Sequence, residues 1–385
     1  MKKFIITGGN FSNKGAQAMT LAVIQELKSK YPDCKIWVFT SDHISPQESF
    51  EVLFFNKYLL IRVLLGRFKF LMSKNLDRLN EEKVRQALKS ADLVLDISGF
   101  ALSSQFGVGP SLSYILRIAL MKKYNRQLVL LPQSFGPFNY GNFYKAILFP
   151  LFKRYLKYPV MIYARERQGY NDLKKFTTKN LDLSVDIVLQ TEKPQQKLFS
   201  FDNRADEILV PEKSVAFIPN SKLIKWNHCN DILNLYFKLA ETLSKNGFHI
   251  YILRHSKEDL KFCQDVYDRL KGFPDVSLLE NDFNCIESAE IISKMALVIA
   301  SRYHSLIHSY KSGVPALVLG WAEKYRDVMQ LFNQERYYYD IRELIQTEEI
   351  PDCLHNLLTL LKKEKESIES RRSEFLRNNI LRKIG

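Results

Sequence analysis

Short apolar segments alternate with longer amphipathic ones along most of this 385-residue chain. The first apolar segment covers residues 3–7, and apolar residues at helical spacing follow over 14–31. Short and continuously apolar segments are typical of parallel strands that are covered on both faces. Their alternation with helices predicts a doubly wound α/β fold.

The predicted strands and helices fall into two similar halves. Strands are predicted over 3–7, 35–40, 92–98, 127–132 and 160–165, then over 214–219, 249–254, 276–280, 297–301 and 315–319. Helices are predicted over 14–31, 77–90, 111–124 and 143–158, then over 231–246, 257–270, 287–295 and 303–312.

A polar stretch between the halves lacks periodicity and is typical of a linker or surface loop. A single core rarely grows beyond about 250–300 residues, so two domains are expected. We predict an N-terminal basic α/β domain over 1–190, a linker over 191–213, a C-terminal α/β domain over 214–350 and a charged C-terminal helix over 351–385. Two such halves would face a cleft, and open α/β sheets bind ligands beyond the carboxyl ends of their strands.

The positive charge of the chain is concentrated in its first half. The net charge is +14, and residues 1–190 hold 28 Lys and Arg but 14 Asp and Glu. Residues 97–165 contain nine Lys or Arg and no acidic residue. This pattern predicts an anionic partner for the N-terminal half, and the alternative is a solvated basic face without a specific role.

The cysteines and the N-terminus indicate the compartment. The five cysteines are scattered and form no C-x-x-C pair, which argues against a disulfide framework or a zinc site. The apolar run after Met1 is too short for a secretory signal, and no run is long enough to cross a bilayer as a helix. We expect a cytoplasmic protein without a bound metal.

The loop after the first strand is the first candidate site. Glycines at positions 8 and 9 would let a ligand approach the backbone, and the loop opens onto a helix N-terminus that favours an anion. Asn10, Asn13 and Lys14 are its candidate binding residues. The alternative is a tight turn in which Asn13 caps the helix.

Three further candidates follow strands of the first half. Asp96 ends an apolar run and is followed by Ser98, so it could orient a hydroxyl or an arginine. Gln133 and Ser134 offer hydrogen bonds from a stiff proline-rich loop. Arg165 comes directly off a strand and suits a carboxylate or a phosphate, unless it pairs with Glu166 or Asp186.

The sharpest candidate lies in the second half, where Ser301, Arg302 and His304 follow a strand. Ser301 can cap the next helix, whose first turn favours anions. His304 can exchange a proton near neutral pH. Lys324 follows the next strand, so these residues predict a site for a doubly anionic ligand.

Five segments in this order resemble the polysaccharide pyruvyl transferase family. They are Gly8-Gly9-Asn10 with Asn13-Lys14-Gly15-Ala16, Pro132-Gln133-Ser134-Phe135-Gly136-Pro137, Ala164-Arg165-Glu166, Ser301-Arg302-Tyr303-His304, and Gly313-Val314-Pro315 with Gly320-Trp321 and Lys324-Tyr325. The resemblance implies two Rossmann-like domains of the GT-B glycosyltransferase type. It also implies phosphoenolpyruvate as donor, a pair of sugar hydroxyls as acceptor and a cyclic pyruvate ketal as product, with no cofactor or metal.

The resemblance also implies roles for the candidate residues. His304, Arg302 and Arg165 would be catalytic, with His304 as general acid or base. The donor would be bound by Ser301, Lys324, Tyr325, Gln133 and Ser134. The acceptor would be bound by Asn10, Asn13, Lys14, Asp96 and Ser98.

Two stretches of the basic half, residues 52–76 and 139–159, mix Lys and Arg with apolar and aromatic residues. Such stretches suit an interfacial helix on anionic lipid, and buried helices with exposed lysines are the alternative. We expect a glycan or lipid-linked oligosaccharide as acceptor and a location at the inner face of the cytoplasmic membrane.

Other functions remain as alternatives to pyruvyl transfer. A glycosyltransferase with a nucleotide-sugar donor would share the fold. A peripheral scaffold in polysaccharide assembly is the non-catalytic alternative. Nucleic acid is not expected as a partner, because the charge is not accompanied by a recognisable binding module.

Overall fold

Two parallel β-sheets organise the part of the chain that the structure describes. The computed structural model describes residues 1–45, 47–65, 78–195, 198–201, 203–343 and 349–384. They divide into a first unit, Met1–Ser200 with Asn379–Gly385, and a second unit, Phe201–Asn378. The division falls inside the stretch expected to be a linker.

The first unit is built around an eight-stranded sheet with parallel pairings. Its strands are β1 (Lys3–Thr7), β2 (Lys35–Thr40), β3 (Glu51–Phe54), β4 (Leu93–Asp96), β5 (Phe100–Leu102), β6 (Gln127–Phe135), β7 (Met161–Ala164) and β8 (Leu181–Leu183). The path across the sheet is β3-β2-β1-β4-β6-β7-β8, and β5 pairs with β6. Ile5, Val94 and Leu130 of the central strands are fully buried, as expected when helices cover both faces.

Helices connect these strands. They are α1 (Lys14–Lys30), α2 (Lys57–Leu65), α3 (Arg78–Ser90), α4 (Val108–Lys123), α5 (Asn142–Tyr155) and α6 (Arg167–Leu173). All of these helices except α3 begin soon after the end of a strand, which is the usual βα connection in a doubly wound sheet, whereas α3 follows α2.

The second unit contains a six-stranded parallel sheet. Its strands are β9 (Ser214–Ile218), β10 (His249–Leu253), β11 (Val276–Leu279), β12 (Leu297–Ala300), β13 (Ala316–Gly320) and β14 (Tyr338–Asp340). Its helices are α7 (Cys229–Lys245), α8 (Leu260–Leu270), α9 (Cys285–Ser293), α10 (Tyr303–Lys311), α11 (Glu323–Leu331) and α12 (Glu349–Arg377). The strand order is β11-β10-β9-β12-β13-β14.

In both sheets the first strand of the unit lies near the middle. The next two strands are added on one side of it and the later strands on the other side. The direction of winding reverses between β1 and β4 in the first sheet and between β9 and β12 in the second. This is the Rossmann arrangement, and ligands of such sheets bind at the carboxyl ends of the strands beside the reversal. The prediction of two Rossmann-like doubly wound α/β domains is confirmed.

The structure contains elements that the sequence pattern did not predict: β3, β5, β8, β14, α2, α6 and α11. The four strands have three or four residues each, too few for a clear apolar run. Two of β8's three residues are exposed, so its sequence carries little hydrophobic signal.

The C-terminal segment differs from the predicted helix over 351–385. Helix α12 ends at Arg377, and the chain then returns to the first unit. There Ile380 and Leu381 are buried, and the backbone N–H of Ile380 donates to the side-chain oxygen of Gln190 at 3.0 Å. Burial of these two apolar residues explains why the charged helix does not continue to the end of the chain.

The first basic and apolar stretch, residues 52–76, packs on the core where it is described. Its start lies in β3, and α2 buries Leu59, Leu60 and Val63. Arg62 pairs with Glu81 at 2.7 Å instead of facing outward. Residues 57–65 therefore form a helix that packs on the core, which was the alternative to a membrane-surface helix. Residues 66–76 lie outside the described residues. Among the described helices, none is long and apolar enough to cross a membrane.

Helix α5 offers a test of this packing. The ring of Phe152 is fully buried and contacts Phe138 and Phe176, with ring centroids 5.7 and 5.2 Å apart. Replacing Phe152 by alanine should lower the free energy of unfolding of the first unit by about 3–5 kcal/mol, because it leaves a cavity. Urea denaturation followed by circular dichroism measures this change.

The same helix provides a matched control. Phe143 is 73% exposed, so Phe143→Ala should change the free energy of unfolding by less than about 0.5 kcal/mol. Equal losses for the two variants would contradict the packing described here.

Candidate functional site

The loops after β1 and β4 touch at the reversal point of the first sheet. Gly8 has a backbone φ of 80°, and a Cβ at this position would lie 2.9 Å from the Cα and the N of Ser98. Only glycine fits both the positive φ and the close approach. The Gly8-Gly9 pair therefore brings the two loops together.

The loop over residues 8–16 is closed by its own side chains. The side-chain oxygen of Asn13 accepts from the N–H groups of Gly15 and Ala16, at 3.0 and 3.1 Å. That of Asn10 accepts from the Asn13 N–H at 3.0 Å, and Lys14 is buried. The loop is therefore a turn in which Asn13 caps helix α1, as the alternative to an anion site proposed.

A carboxylate from the next strand also binds this loop. Asp42, which follows β2, accepts from the backbone N–H groups of Phe11 and Ser12 at 2.5 and 2.9 Å. Because Asp42 already supplies a negative charge here, the loop is less suited to a second anion than its sequence suggests.

Asp96 and Gln133 belong to one polar network at the ends of β4 and β6. Asp96 accepts from the backbone N–H of Ser98 at 3.1 Å and from the side-chain amide of Gln133 at 3.3 Å. Gln133 in turn accepts from the hydroxyl of Tyr114 at 3.0 Å. Burial, followed by the charge of Asp96, raises the pKa of Tyr114 well above its ordinary value, so its hydroxyl stays protonated.

Arg117 joins this network and was missed by the sequence reasoning. Its guanidinium donates to the hydroxyl of Ser98 at 2.8 Å, lies 3.8 Å from the carboxylate of Asp96 and covers the ring of Tyr114. It lies in the middle of α4, so a search of strand ends could not find it. The structure thus brings Asp96, Ser98 and Gln133 together around a partly exposed cation.

Arg165 and Ser134 lie in a buried ion-pair cluster. Arg165 Nε donates to Ser134 Oγ and Glu166 Oε1, both at 2.9 Å, and Arg165 Nη1 donates to Asp186 Oδ2 at 2.9 Å. The hydroxyl of Ser134 donates to Glu166 at 2.6 Å. Arg165 therefore pairs with both Glu166 and Asp186, which was the alternative to binding a substrate anion. Its predicted catalytic role stays a prediction.

In the second unit, Ser301 does not cap helix α10. The residue at the N-cap is Arg302, without a side-chain cap. The hydroxyl of Ser301 lies 3.1 Å from that of Tyr236, and its carbonyl accepts from Asn220 and Tyr325 at 2.9 and 3.1 Å. Ser301 is fully buried, so these bonds fix the end of β12 rather than the start of the helix.

Arg302 ties together the loops that follow three neighbouring strands. Its Nε and Nη2 donate to the two carboxylate oxygens of Asp259, at 2.8 and 2.5 Å, and Nη2 also donates to Glu258 at 2.6 Å. Asp259 Oδ1 also accepts from the N–H and the hydroxyl of Ser221, both at 3.0 Å. The donation from Arg302 holds the pKa of Glu258 below its usual range.

Lys324 lies near three aromatic rings, one of which, that of Tyr303, also contacts His304. Its ammonium is 5.2, 5.6 and 5.8 Å from the ring centres of Tyr303, Trp321 and Tyr325. The ring of His304 meets that of Tyr303 edge to face, with centroids 5.1 Å apart. Burial raises the pKa of Tyr325, whose hydroxyl therefore remains a donor to the Ser301 carbonyl. The structure thus brings Lys324, Tyr325 and His304 together at the ends of β12 and β13.

Further basic groups at the ends of neighbouring strands and on α10 were missed. Arg254 and His255 follow β10, so the strand-end rule could have found them. His308 is buried one turn after His304, and its ring centroid lies 6.1 Å from that of His255. Lys222, after β9, places its ammonium 5.9 Å from the ring centre of Trp321.

The second unit therefore gathers cations and imidazoles at the reversal point of its sheet. Such a cluster can bind an anion and can transfer a proton. No group of three or more His, Cys, Asp or Glu side chains that could hold a metal ion occurs in the described ranges. We call Arg302, His304 and Lys324 with the rings of Tyr303, Trp321 and Tyr325 the basic–aromatic cluster.

Solved structures with the same fold were found by comparison. UDP-GlcNAc 2-epimerase from Methanocaldococcus jannaschii has a TM-score of 0.57 and 10% identity, covering 94% of this chain and 100% of that chain. Anabaena Alr3699/HepE, in complex with UDP-glucose, has a TM-score of 0.55 and 11% identity, covering 98% and 95%. The glycotransferase of kitacinnamycin has a TM-score of 0.53 and 12% identity, covering 98% and 95%. At such low identity the likeness shows the fold alone, which is that of GT-B glycosyltransferases and epimerases.

The sequence comparisons identify the family. A search of curated proteins gave no significant match. The family model described as "Polysaccharide pyruvyl transferase" matches residues 13–323, which include the basic–aromatic cluster up to Trp321. The chain therefore belongs to the polysaccharide pyruvyl transferase family.

Proposed function

We propose that this protein transfers the pyruvyl group of phosphoenolpyruvate to two hydroxyls of one sugar in a cell-surface polysaccharide repeat unit, forming a cyclic ketal and releasing phosphate. The observation that carries the proposal is the basic–aromatic cluster, in which Lys324 and His304 both contact the ring of Tyr303, the residue directly after Arg302. Family membership supports a transferase of polysaccharide biosynthesis. The donor, the acceptor and the ketal are the proposed parts.

Lys324 and Arg302 are the proposed ligands of the carboxylate and the phosphate. The three aromatic rings near the ammonium of Lys324 reduce its contact with water, which strengthens its attraction to an anion. Nε and Nη2 of Arg302 are held by Asp259 and Glu258, and Nη1 makes no hydrogen bond to the described residues. Nη1 is therefore the nitrogen proposed to donate to the substrate from a fixed position.

His304 is the proposed proton-transfer group. Protonation of the methylene carbon of phosphoenolpyruvate makes C2 electrophilic, and one sugar hydroxyl attacks it. Phosphate leaves as the second hydroxyl attacks C2 and closes the ring. The two sugar hydroxyls release two protons in total, which balances the proton added to the methylene carbon and the proton taken up by the departing phosphate. Cations beside the phosphate stabilise the charge that develops as it leaves.

The polar network of the first unit is the proposed source of acceptor contacts. Asp96 and Ser98, with Arg117, offer both donors and acceptors, which sugar hydroxyls require. Gln133, predicted from the sequence to bind the donor, is fully buried and would act by orienting Asp96. Arg165 and Ser134 are proposed to act indirectly, because their buried pairing with Glu166 and Asp186 holds the ends of β6 and β7. Asn10, Asn13 and Lys14 would act through the loop that contacts Ser98.

A glycosyltransferase with a nucleotide-sugar donor is the second candidate. It is favoured by the GT-B fold and by neighbours such as HepE, which is described in complex with UDP-glucose. The two candidates differ in donor. The acceptor repeat unit is proposed to be lipid-linked, with the reaction at the inner face of the cytoplasmic membrane.

Thermal stabilisation by ligands separates the two candidates. A ligand that binds the folded state at 100 times its Kd stabilises that state by about 2.7 kcal/mol. Phosphoenolpyruvate should therefore raise the melting temperature by a few degrees, whereas UDP and GDP should leave it unchanged, as measured by differential scanning fluorimetry. Stabilisation by UDP alone would favour the glycosyltransferase.

Lys324→Met should abolish the stabilisation by phosphoenolpyruvate. Lys261→Met is the matched control, since Lys261 is exposed on α8 and pairs with Asp265. Retained stabilisation in the Lys324 variant would remove this residue from the donor site.

His304→Ala should lower kcat by about 10²–10⁴-fold, because proton transfer to carbon loses its catalyst. Release of phosphate from phosphoenolpyruvate in the presence of candidate lipid-linked sugars measures the rate. Stabilisation by phosphoenolpyruvate should remain in this variant. An unchanged kcat would exclude His304 as the acid or base.

The ion pair that holds Arg302 is tested by Asp259→Asn. Breaking a buried pair by neutralising one partner costs about 3–5 kcal/mol, and the Asp259 side chain is fully buried. Urea denaturation of the second unit should show this loss, accompanied by weaker phosphoenolpyruvate binding. Glu258→Gln is the control and should cost less than about 1 kcal/mol, because that carboxylate is half exposed.

A further inference from the structure

Helix α5 presents apolar side chains on two opposite faces. Leu148 and Phe152 are buried in the core of the first unit. Phe143 and Ile147 on the other side are 73% and 49% exposed, and Tyr144, which lies between the two sides, is 47% exposed. Neighbouring large apolar side chains that are exposed together indicate an interaction site, whereas single exposed apolar side chains are normal.

Basic residues continue this exposed face toward the end of the helix. Arg154 follows Phe143 and Ile147 at positions i+11 and i+7, so all three lie on one stripe of the helix. Lys153 and Lys157 are exposed beside it. Phe143, Tyr144, Ile147, Lys153, Arg154 and Lys157 are called the α5 surface below.

The segment that follows α6 adds to the positive charge. Phe176 packs against Phe149 of α5, with ring centroids 5.0 Å apart, which brings this segment against the helix. Asn180 donates to the carbonyls of Leu156 and Pro159, just after α5. Lys174 and Lys179 of the segment are exposed.

Acidic residues do little to offset this charge. Residues 97–165 contain none. In the following segment the acids Glu166, Asp172 and Asp186 are buried. Glu166 and Asp186 both pair with Arg165, and Asp172 pairs with Lys175. Asp182 on the edge strand β8 is the exposed acid of that segment. The α5 surface is therefore apolar at one end and strongly cationic at the other.

We propose that the α5 surface docks on a bilayer of anionic phospholipid. Aromatic and aliphatic side chains enter the headgroup region while Lys and Arg contact the lipid phosphates, which is how basic amphipathic helices bind membranes. Charge complementarity selects this partner over a second copy of the chain. A symmetric dimer through this face would bring the cations of both copies together.

This inference does not depend on the donor or on the reaction. It concerns a surface of the first unit, whereas the basic–aromatic cluster belongs to the second. If the acceptor is lipid-linked, docking would also keep the protein on the surface that carries its acceptor.

Vesicle cosedimentation of the full chain tests the proposal. Vesicles of equal parts phosphatidylcholine and phosphatidylglycerol should bind the protein, vesicles of phosphatidylcholine alone should bind it at least tenfold more weakly, and salt should weaken the binding. Equal binding to both vesicles, or none to either, would overturn the proposal.

Two variants of the α5 surface separate its apolar and cationic parts. Phe143→Ser with Ile147→Ser should weaken binding about tenfold or more, through lost apolar insertion. Lys153→Glu with Arg154→Glu should weaken it at least 25-fold, at about fivefold for each charge removed. Since these side chains are exposed, both variants should keep the urea unfolding curve of the parent protein.

The matched controls lie in the second unit. Leu209→Ser replaces an exposed leucine, and Lys245→Glu with Lys271→Glu replaces two exposed lysines. Binding that falls equally in the controls would show that net charge or hydrophobicity alone causes it, and would overturn the proposal. A dimer in light scattering that the α5 variants dissociate would also overturn it, in favour of a second copy.

Discussion

A buried ion pair between Arg302 and Asp259 holds together the part of the second unit on which the functional argument depends. The strand order β10-β9-β12 forces the carboxyl ends of these three strands to lie side by side. Asp259 follows β10, Ser221 follows β9 and Arg302 follows β12, and their hydrogen bonds join the three loops. Tyr303, whose ring lies near Lys324, and His304 are the first two residues of α10, directly after Arg302. Their positions therefore depend on the ion pair between Arg302 and Asp259.

The two units use similar strand orders but different chemistry at their reversal points. In the first unit, carboxylates and amides outnumber the exposed cations: Asp42 binds the β1 loop, and Asp96 and Gln133 surround Arg117. In the second unit, imidazoles and cations lie among aromatic rings. This contrast supports a hydroxyl-binding role for the first site and an anion-binding role for the second.

The sequence predicted the fold because its signals were local. Continuously apolar strands, intervening helices and the positions of strand ends led to both sheets and to the residues around 96, 133, 301 and 324. It could not predict ion-pair partners that come from distant segments, such as Asp259 for Arg302. Arg117 was missed because it lies in mid-helix, and Ser301 was misassigned as a cap because its buried hydroxyl contacts Tyr236. The cleft that the sequence predicts stays a prediction.

The central claim is that the enol carbon of phosphoenolpyruvate is protonated while its C2 is transferred to a sugar. The most direct measurement is the mass and the methyl NMR signal of the product formed in D₂O. The account predicts a ketal whose methyl group carries one deuterium from solvent, with one phosphate released per ketal. A product without the ketal, or a ketal without solvent deuterium, would contradict it.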